Sequence, residues 1–170
     1  MIDTPRARLR PWRDSDRVAF TAMHADREVM WDYEDGPLIE TESVAKLDRY
    51  KAAYDRLGFC RWALEDRHGV FLGYVGVMPS RPSHPLGDHF EIGWRLNRRA
   101  WGLGYATEGA RAALADFFAR HPVREVLSYT APDNARSQAV MARLSLQRDA
   151  SRDFSFGGWH GLVWVAKPTG

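Results

Sequence analysis

A chain of 170 residues, 45% hydrophobic and 27% charged, suits one compact domain over residues 1–170 and leaves little room for a second. Its net charge of +2 is small and its basic residues, nearly all arginines, are spread among acids, so no nucleic acid is expected as a partner. Cys60 stands alone, no apolar run is long enough to span a membrane, and the first residues hold no signal-like stretch, so a cytoplasmic protein with no membrane attachment is expected.

The elements follow in chain order. Residues 7–12 alternate weakly as a first strand, and Asp14 stands where it would cap a short helix carrying Val18, Phe20 and Met23. Trp31, Tyr33 and Glu34 lead into a loop that Gly36-Pro37 closes. Val44, Leu47, Tyr54 and Leu57 recur at helical spacing until Gly58 stops the helix. Residues 59–64 and 70–77 read as a hairpin around Arg67-His68-Gly69. A proline-rich loop, residues 79–87, delivers a strand over 90–96 with Gly93 in its middle, the mark of a bulge or of a close approach by another backbone. The helix after Trp101 carries Ala106, Ala110, Ala113, Leu114, Phe117 and Phe118 on one face and ends at His121-Pro122. Next come a strand over 125–130 and a helix capped by residues 132–134, with Val140, Met141 and Leu144 inward. A hairpin of residues 147–156 and 159–166 turns at Gly157-Gly158. This order predicts an α/β domain with a mixed, mostly antiparallel central sheet flanked by helices, not a doubly wound one.

Two segments carry chemistry. Trp101-Gly102-Leu103-Gly104-Tyr105-Ala106-Thr107-Glu108 runs a strand into a glycine-rich turn that opens directly into a helix. Glycines let the backbone come close to a ligand, and the first helical turn offers unpaired N–H groups at a positive dipole end, which is the physics of phosphate binding. No Gly-Lys-Ser/Thr follows, so the turn is not a P-loop, and Thr107 stands where the third glycine of a dinucleotide fingerprint belongs. A plain tight connection between strand and helix explains the same residues. In the second segment Ser137 shares the inward stripe of the Asn134 helix. Its hydroxyl either bonds back to a carbonyl one turn earlier or reaches into a site as a donor. His84 and His89 lie among prolines without further ligands, so no metal is expected.

In order along nearly the whole chain, Glu91-Ile92-Gly93-Trp94-Arg95-Leu96, the turn at 101–108 and Asp133-Asn134-Ala135-Arg136-Ser137 resemble the GNAT superfamily of acyl-CoA N-acyltransferases. Within it they resemble the RimJ/RimL-type branch, which acetylates protein N-termini. The resemblance implies a single-domain GNAT fold with splayed strands, acetyl-CoA as co-substrate, and an acceptor that is a protein N-terminus or a small-molecule amine; a homodimer is allowed for. It places the coenzyme A pyrophosphate on the amides of Trp101, Gly102, Leu103, Gly104, Tyr105, Ala106 and Thr107. The pantetheine arm then pairs with the main chain of Trp94 and Leu96 and bonds Asn134. Gly104 and Ala106 fit the family's Gln/Arg-x-x-Gly-x-Gly/Ala pattern, while Trp101 replaces its first residue. Many relatives carry a tyrosine where this chain has Met141. That leaves Ser137, near the thioester sulfur, as the acid that protonates the departing thiolate.

An ammonium must lose its proton before attacking a thioester, so a base is needed. Glu91 resembles the glutamate of the histone-acetylating branch and is the candidate; the ordinary alternative is a solvated strand glutamate. A strand N–H within 92–94 is placed to stabilise charge on the thioester oxygen. Trp31, Tyr33 and Trp159 line the acceptor cleft by the same resemblance, or else are ordinary core or interface aromatics. Two rival functions remain open: an acyl-CoA-binding sensor without turnover, and a Rossmann-like nucleotide binder that prefers NAD to coenzyme A.

Overall fold

The alternating segments pair into one sheet in the computed structural model, which describes residues 1–32 and 36–168. In chain order the elements are β1 (Ile2–Asp3), β2 (Ala7–Arg10), α1 (Arg17–Ala25), α2 (Glu40–Leu57), β3 (Arg61–Asp66), β4 (Phe71–Pro79) and β5 (Phe90–Leu96). They continue with α3 (Tyr105–Arg120), β6 (Val126–Thr130), α4 (Ala135–Arg143), β7 (Gln147–Arg148), β8 (Phe154–Phe156) and β9 (Trp159–Ala166). The strands lie in the order β1-β2-β3-β4-β5-β6-β9-β7, with β8 paired to β9. Every pairing is antiparallel except the parallel contact of β5 with β6. This is the mixed α/β sheet expected.

Neighbouring residues of a strand face opposite sides of a sheet, and β4 shows what each side carries. The ring of Tyr74 meets Phe20 of α1 and Tyr50 of α2. On the other side Val75 lies under Gly109 of α3, where a Cβ would come within 2.8 Å of Val75 and 3.3 Å of Leu64. The alanine-rich stripe of α3 therefore sits close on one face, with Ala110, Ala113 and Phe117 buried, and α1 and α2 cover the other.

Several local expectations need correction. The first strand stops at Arg10, because Pro11 has no N–H to continue the ladder. Asp14 caps nothing; it pairs with Lys51, and a 3-10 turn at Asp14–Asp16 leads into α1. The buried carboxylate of Asp16 takes the capping role instead, accepting from the Arg13 N–H at 2.8 Å and from the two terminal nitrogens of the Arg10 guanidinium at 2.7 and 2.8 Å. Val18 is 80% exposed, whereas Phe20 and Met23 are buried as expected. The segment 147–156 is not one strand, since the Asp149 side chain caps a 3-10 turn that separates β7 from β8. Gly157 and Gly158 turn the last hairpin in left-handed conformations, as expected.

No bulge accompanies Gly93. The β4–β5 register runs evenly from Gly73↔Leu96 to Pro79↔Phe90, and the irregularity falls on β3 between Leu64 and Glu65. Gly93 is needed for a different close approach: a Cβ there would stand 2.7 Å from the buried Arg61 guanidinium.

Candidate active site

β5 and β6 share one register pair, Glu91↔Leu127, and the Ser128 hydroxyl adds a bond to the Ile92 carbonyl at 2.9 Å. Beyond that point the strands part. The Asn97 N–H donates to the Leu72 carbonyl at 2.8 Å, which fixes the alternation along β5. Arg95, Gly93 and Glu91 direct their main-chain groups to β4, while Ile92, Trp94 and Leu96 direct theirs into the gap. The Ile92 carbonyl is taken by Ser128 and the Leu96 carbonyl by the Trp101 indole at 2.8 Å. The main chain of Trp94 faces the gap where the strands have separated.

A groove of about 1640 Å³ starts at this splay, with Trp94 and Leu96 on one wall and Asn134 and Ser137 on the other. Trp101, Gly102, Leu103, Gly104, Ala106 and Thr107 form its end. Tyr105 is absent from that lining; its ring packs against the Arg6 guanidinium, 5.1 Å from ring centroid. Gly102 and Gly104 have φ of 72° and 84°, which side-chain-bearing residues rarely adopt. Gly104 is the N-cap of α3, so the first-turn N–H groups of that helix open toward the groove without a capping side chain.

Sequence reasoning missed what braces this turn. Arg6 donates to the Leu103 carbonyl at 2.8 Å and to Glu108 at 2.7 Å, and Thr4 donates to Glu108 at 2.7 Å. Burial pushes the Glu108 carboxyl up, but the hydrogen bonds from Thr4 and Arg6 outweigh it and hold the group below the usual carboxylate range. Arg136 of α4 lies over the Trp101 ring at 4.3 Å, joining the two walls. These partners stand far apart in sequence and no local pattern announces them.

The Asn134 cap, by contrast, was legible. Its Oδ1 accepts from the Ser137 N–H at 3.0 Å. Its Nδ2 donates to Asp32 at 2.9 Å, and the other Asp32 oxygen meets Arg95 at 2.9 Å. Neither Asp32 nor Arg95 was singled out from sequence. Among the described residues the Ser137 hydroxyl makes no bond back to its helix, and the side chain lines the groove.

A second cleft of about 300 Å³ adjoins the groove and shares Trp31 and Asp32 with it. Trp159 forms its far side, and Tyr33 lies outside the described residues. Glu91 lines neither space. One carboxylate oxygen meets Arg61 at 2.8 Å and the other accepts from the Tyr129 hydroxyl at 2.9 Å, with the Glu91 side chain 22% exposed. Burial and the Glu91 charge push the Tyr129 phenol well above its usual value, so it stays a donor. Tyr129 touches Trp159, with ring centroids 6.3 Å apart, which sets Glu91 behind the second cleft. His84 and His89 pack with each other and with Tyr129 as rings, at 4.7, 5.1 and 5.9 Å. Among the described residues no group of three or more His, Cys, Asp or Glu side chains is placed to hold a metal ion.

Comparison with known proteins gives the family. Residues 6–147 match the acetyltransferase (GNAT) domain. The chain is 30% identical over 151 residues to the FsC-acetyl coenzyme A-N(2)-transacetylase of Aspergillus fumigatus, covering 85% of this chain and 64% of that protein. An acetyltransferase from Agrobacterium tumefaciens has a similar structure, with a TM-score of 0.85 and 24% identity over 98% of this chain and 94% of its own. RimJ of Mycobacterium smegmatis, in complex with CoA-disulfide, gives 0.72 and 18% over 95% and 81%. A strand pair that separates beside a glycine-rich helix start, carried by a sequence that matches this domain over most of its length, settles the assignment: the chain belongs to the GNAT acetyltransferase family.

Proposed function

We propose that the chain transfers an acetyl group from acetyl-CoA to a primary amine, either a small molecule or a protein N-terminus. The observation that carries this is the left-handed turn at Gly102 and Gly104, which opens the start of α3 onto the groove beside the splayed strand. A polyanionic, elongated donor fits that space. A Cβ on Gly104 would stand 3.1 Å from the Arg6 guanidinium and crowd the cradle, and Arg6, Arg111, Arg136 and Arg143 supply positive charge along the lining. The relative from Aspergillus is named for acetyl coenzyme A, which agrees with this reading.

The donor brings an acyl thioester, and the residues of this chain do the rest. Amides of the 101–107 turn hold the pyrophosphate, with Gly104 as the closest approach. The main chain of Trp94 and Leu96 pairs with the pantetheine arm as an added strand would. Asn134 bonds the same arm, and Ser137 stands near the sulfur as a proton donor to the thiolate. The Trp94 N–H faces the position where charge develops on the thioester oxygen. Glu91 takes the ammonium proton through water, oriented by Arg61 and Tyr129. Trp31 and Trp159 line the path of the amine.

The second reading, acyl-CoA binding without turnover, draws on one observation: both oxygens of Glu91 already have partners. Free-thiol release from acetyl-CoA in the presence of a panel of amines separates the two. Amine-dependent release supports transfer; tight acetyl-CoA binding with no release by any amine would leave only the binder.

A further inference from the structure

We propose that the cleft between Trp31 and Trp159 selects a cationic amine with no carboxylate beside it, so that free α-amino acids are refused as acceptors. This rests on the acetyl-transfer reading above and adds the acceptor's charge to it.

The two adjoining spaces share Asp32 but differ in their balance of charge. Five arginines, Arg6, Arg95, Arg111, Arg136 and Arg143, line the donor groove against three acids, Asp3, Asp32 and Glu108. The described lining of the smaller cleft contains Asp32, Asp133, Trp31 and Trp159, with no lysine or arginine. A cation is drawn both to carboxylates and to the negative face of an indole ring, whereas a carboxylate is repelled by both. Its other polar side chain, His160, is turned to the Ser155 hydroxyl at 3.0 Å.

The lining is also fixed in place. Asp32 is held from the groove side by Arg95 and Asn134, one partner on each oxygen, and each oxygen retains a further acceptor position. The Trp159 ring rests on Gly161, where a Cβ would fall 2.6 Å from Cζ3, and packs against Phe154 with centroids 5.6 Å apart. Asp133 is exposed at the start of α4. An ammonium entering here passes between two indoles and two carboxylates, with Tyr129 and then Glu91 behind Trp159. An α-carboxylate carried by the same molecule would enter the same field with the wrong sign. The amine of an amide, an amine without an acid group, or a peptide N-terminus meets no such penalty.

The test compares acceptors that differ in that charge, each rate being referred to the free-amine fraction because the amide's ammonium loses its proton at lower pH than the amino acid's. Phenylalaninamide and phenylalanine are offered with acetyl-CoA, and thiol release is followed; phenethylamine and the amide of a phenylalanine-led dipeptide distinguish a small-amine source from an N-terminal one. The amide is expected to exceed the amino acid about tenfold or more in kcat/KM. Exposed Asp133 tolerates substitution, and Asp133→Lys is expected to bring the ratio close to one. Calorimetry of the same two compounds, titrated into protein saturated with coenzyme A, reads the selectivity without turnover. Equal kcat/KM for amide and amino acid would overturn the charge selection while leaving acetyl transfer in place. Selective binding of the amide with no thiol release would uphold the selection and overturn transfer. Failure of both compounds to bind and to react would overturn both.

Discussion

In the proposed mechanism Ser137 and Glu91 act at opposite ends of the same proton balance, and substitution reads them differently. The Ser137 hydroxyl lines the groove and makes no bond back to α4 among the described residues, so its removal leaves the helix cap, which uses the main-chain N–H, intact. A thiol of ordinary pKa, about 8.5, is already a fair leaving group. Ser137→Ala is therefore expected to lower kcat about ten- to a hundredfold, with the acetyl-CoA Kd nearly unchanged. Full activity in that variant would remove the acid role. Glu91→Gln keeps a partner for the Tyr129 hydroxyl but takes away the charge opposite Arg61. Turnover should fall most at low pH, where the amine is most protonated, with coenzyme A affinity little altered. A pH–rate profile that overlays that of the parent, measured alongside a melting curve to confirm folding, would exclude Glu91 as the base.

At the scale of elements, the start of α3 and the packing of α1 each make a prediction. Gly104→Val places a β-branched side chain where φ is 84° and where a Cβ already approaches Arg6. The buried part of the α3 stripe begins at Ala110, so the variant should fold and bind acetyl-CoA weakly. Undiminished affinity by calorimetry would mean that the turn is only a connection. In α1, His24 is fully buried, bonds the Phe20 carbonyl at 2.9 Å and stacks on Tyr74. Burial, with Lys46 nearby, brings its pKa down to about 3. The unfolded chain takes up this proton near pH 6.5 and the folded protein does not, so the contribution is complete above about 6.5 and is lost as pH falls toward 3. The loss approaches 1.4 kcal/mol per pH unit inside that window. Denaturant titrations of the parent and His24→Phe should diverge there in slope; parallel slopes would contradict it.

Across the whole molecule, what the sequence disclosed follows from the range of the interactions involved. Gly58, Asn134 and Gly157-Gly158 act on their own neighbours, so the cap or turn each makes was visible in the residues. The glycine-rich turn that opens α3 was visible for the same reason. Asp14 and Val18 misled because local preference favoured a cap and an apolar stripe, while the Arg10–Asp16 pairing decided the outcome. Gly93 pointed to a bulge or to a close approach by another backbone, yet the space it leaves is filled by a guanidinium from β3, a contact that no spacing reveals. The braces of the site belong to this long-range class: Arg6 with Glu108, Asp32 with Asn134, and Tyr129 with Glu91. Each joins elements that only the β5–β6 splay and the crossover through α3 bring together.

The measurement that bears most directly on the central claim is the mass of the product formed from acetyl-CoA and phenylalaninamide, with released thiol counted in the same reaction. The account predicts N-acetylated amide in one-to-one proportion to free coenzyme A, with both lost together in Gly104→Val. Thiol release without acetylated amine, or neither product across amines that demonstrably bind, would contradict it.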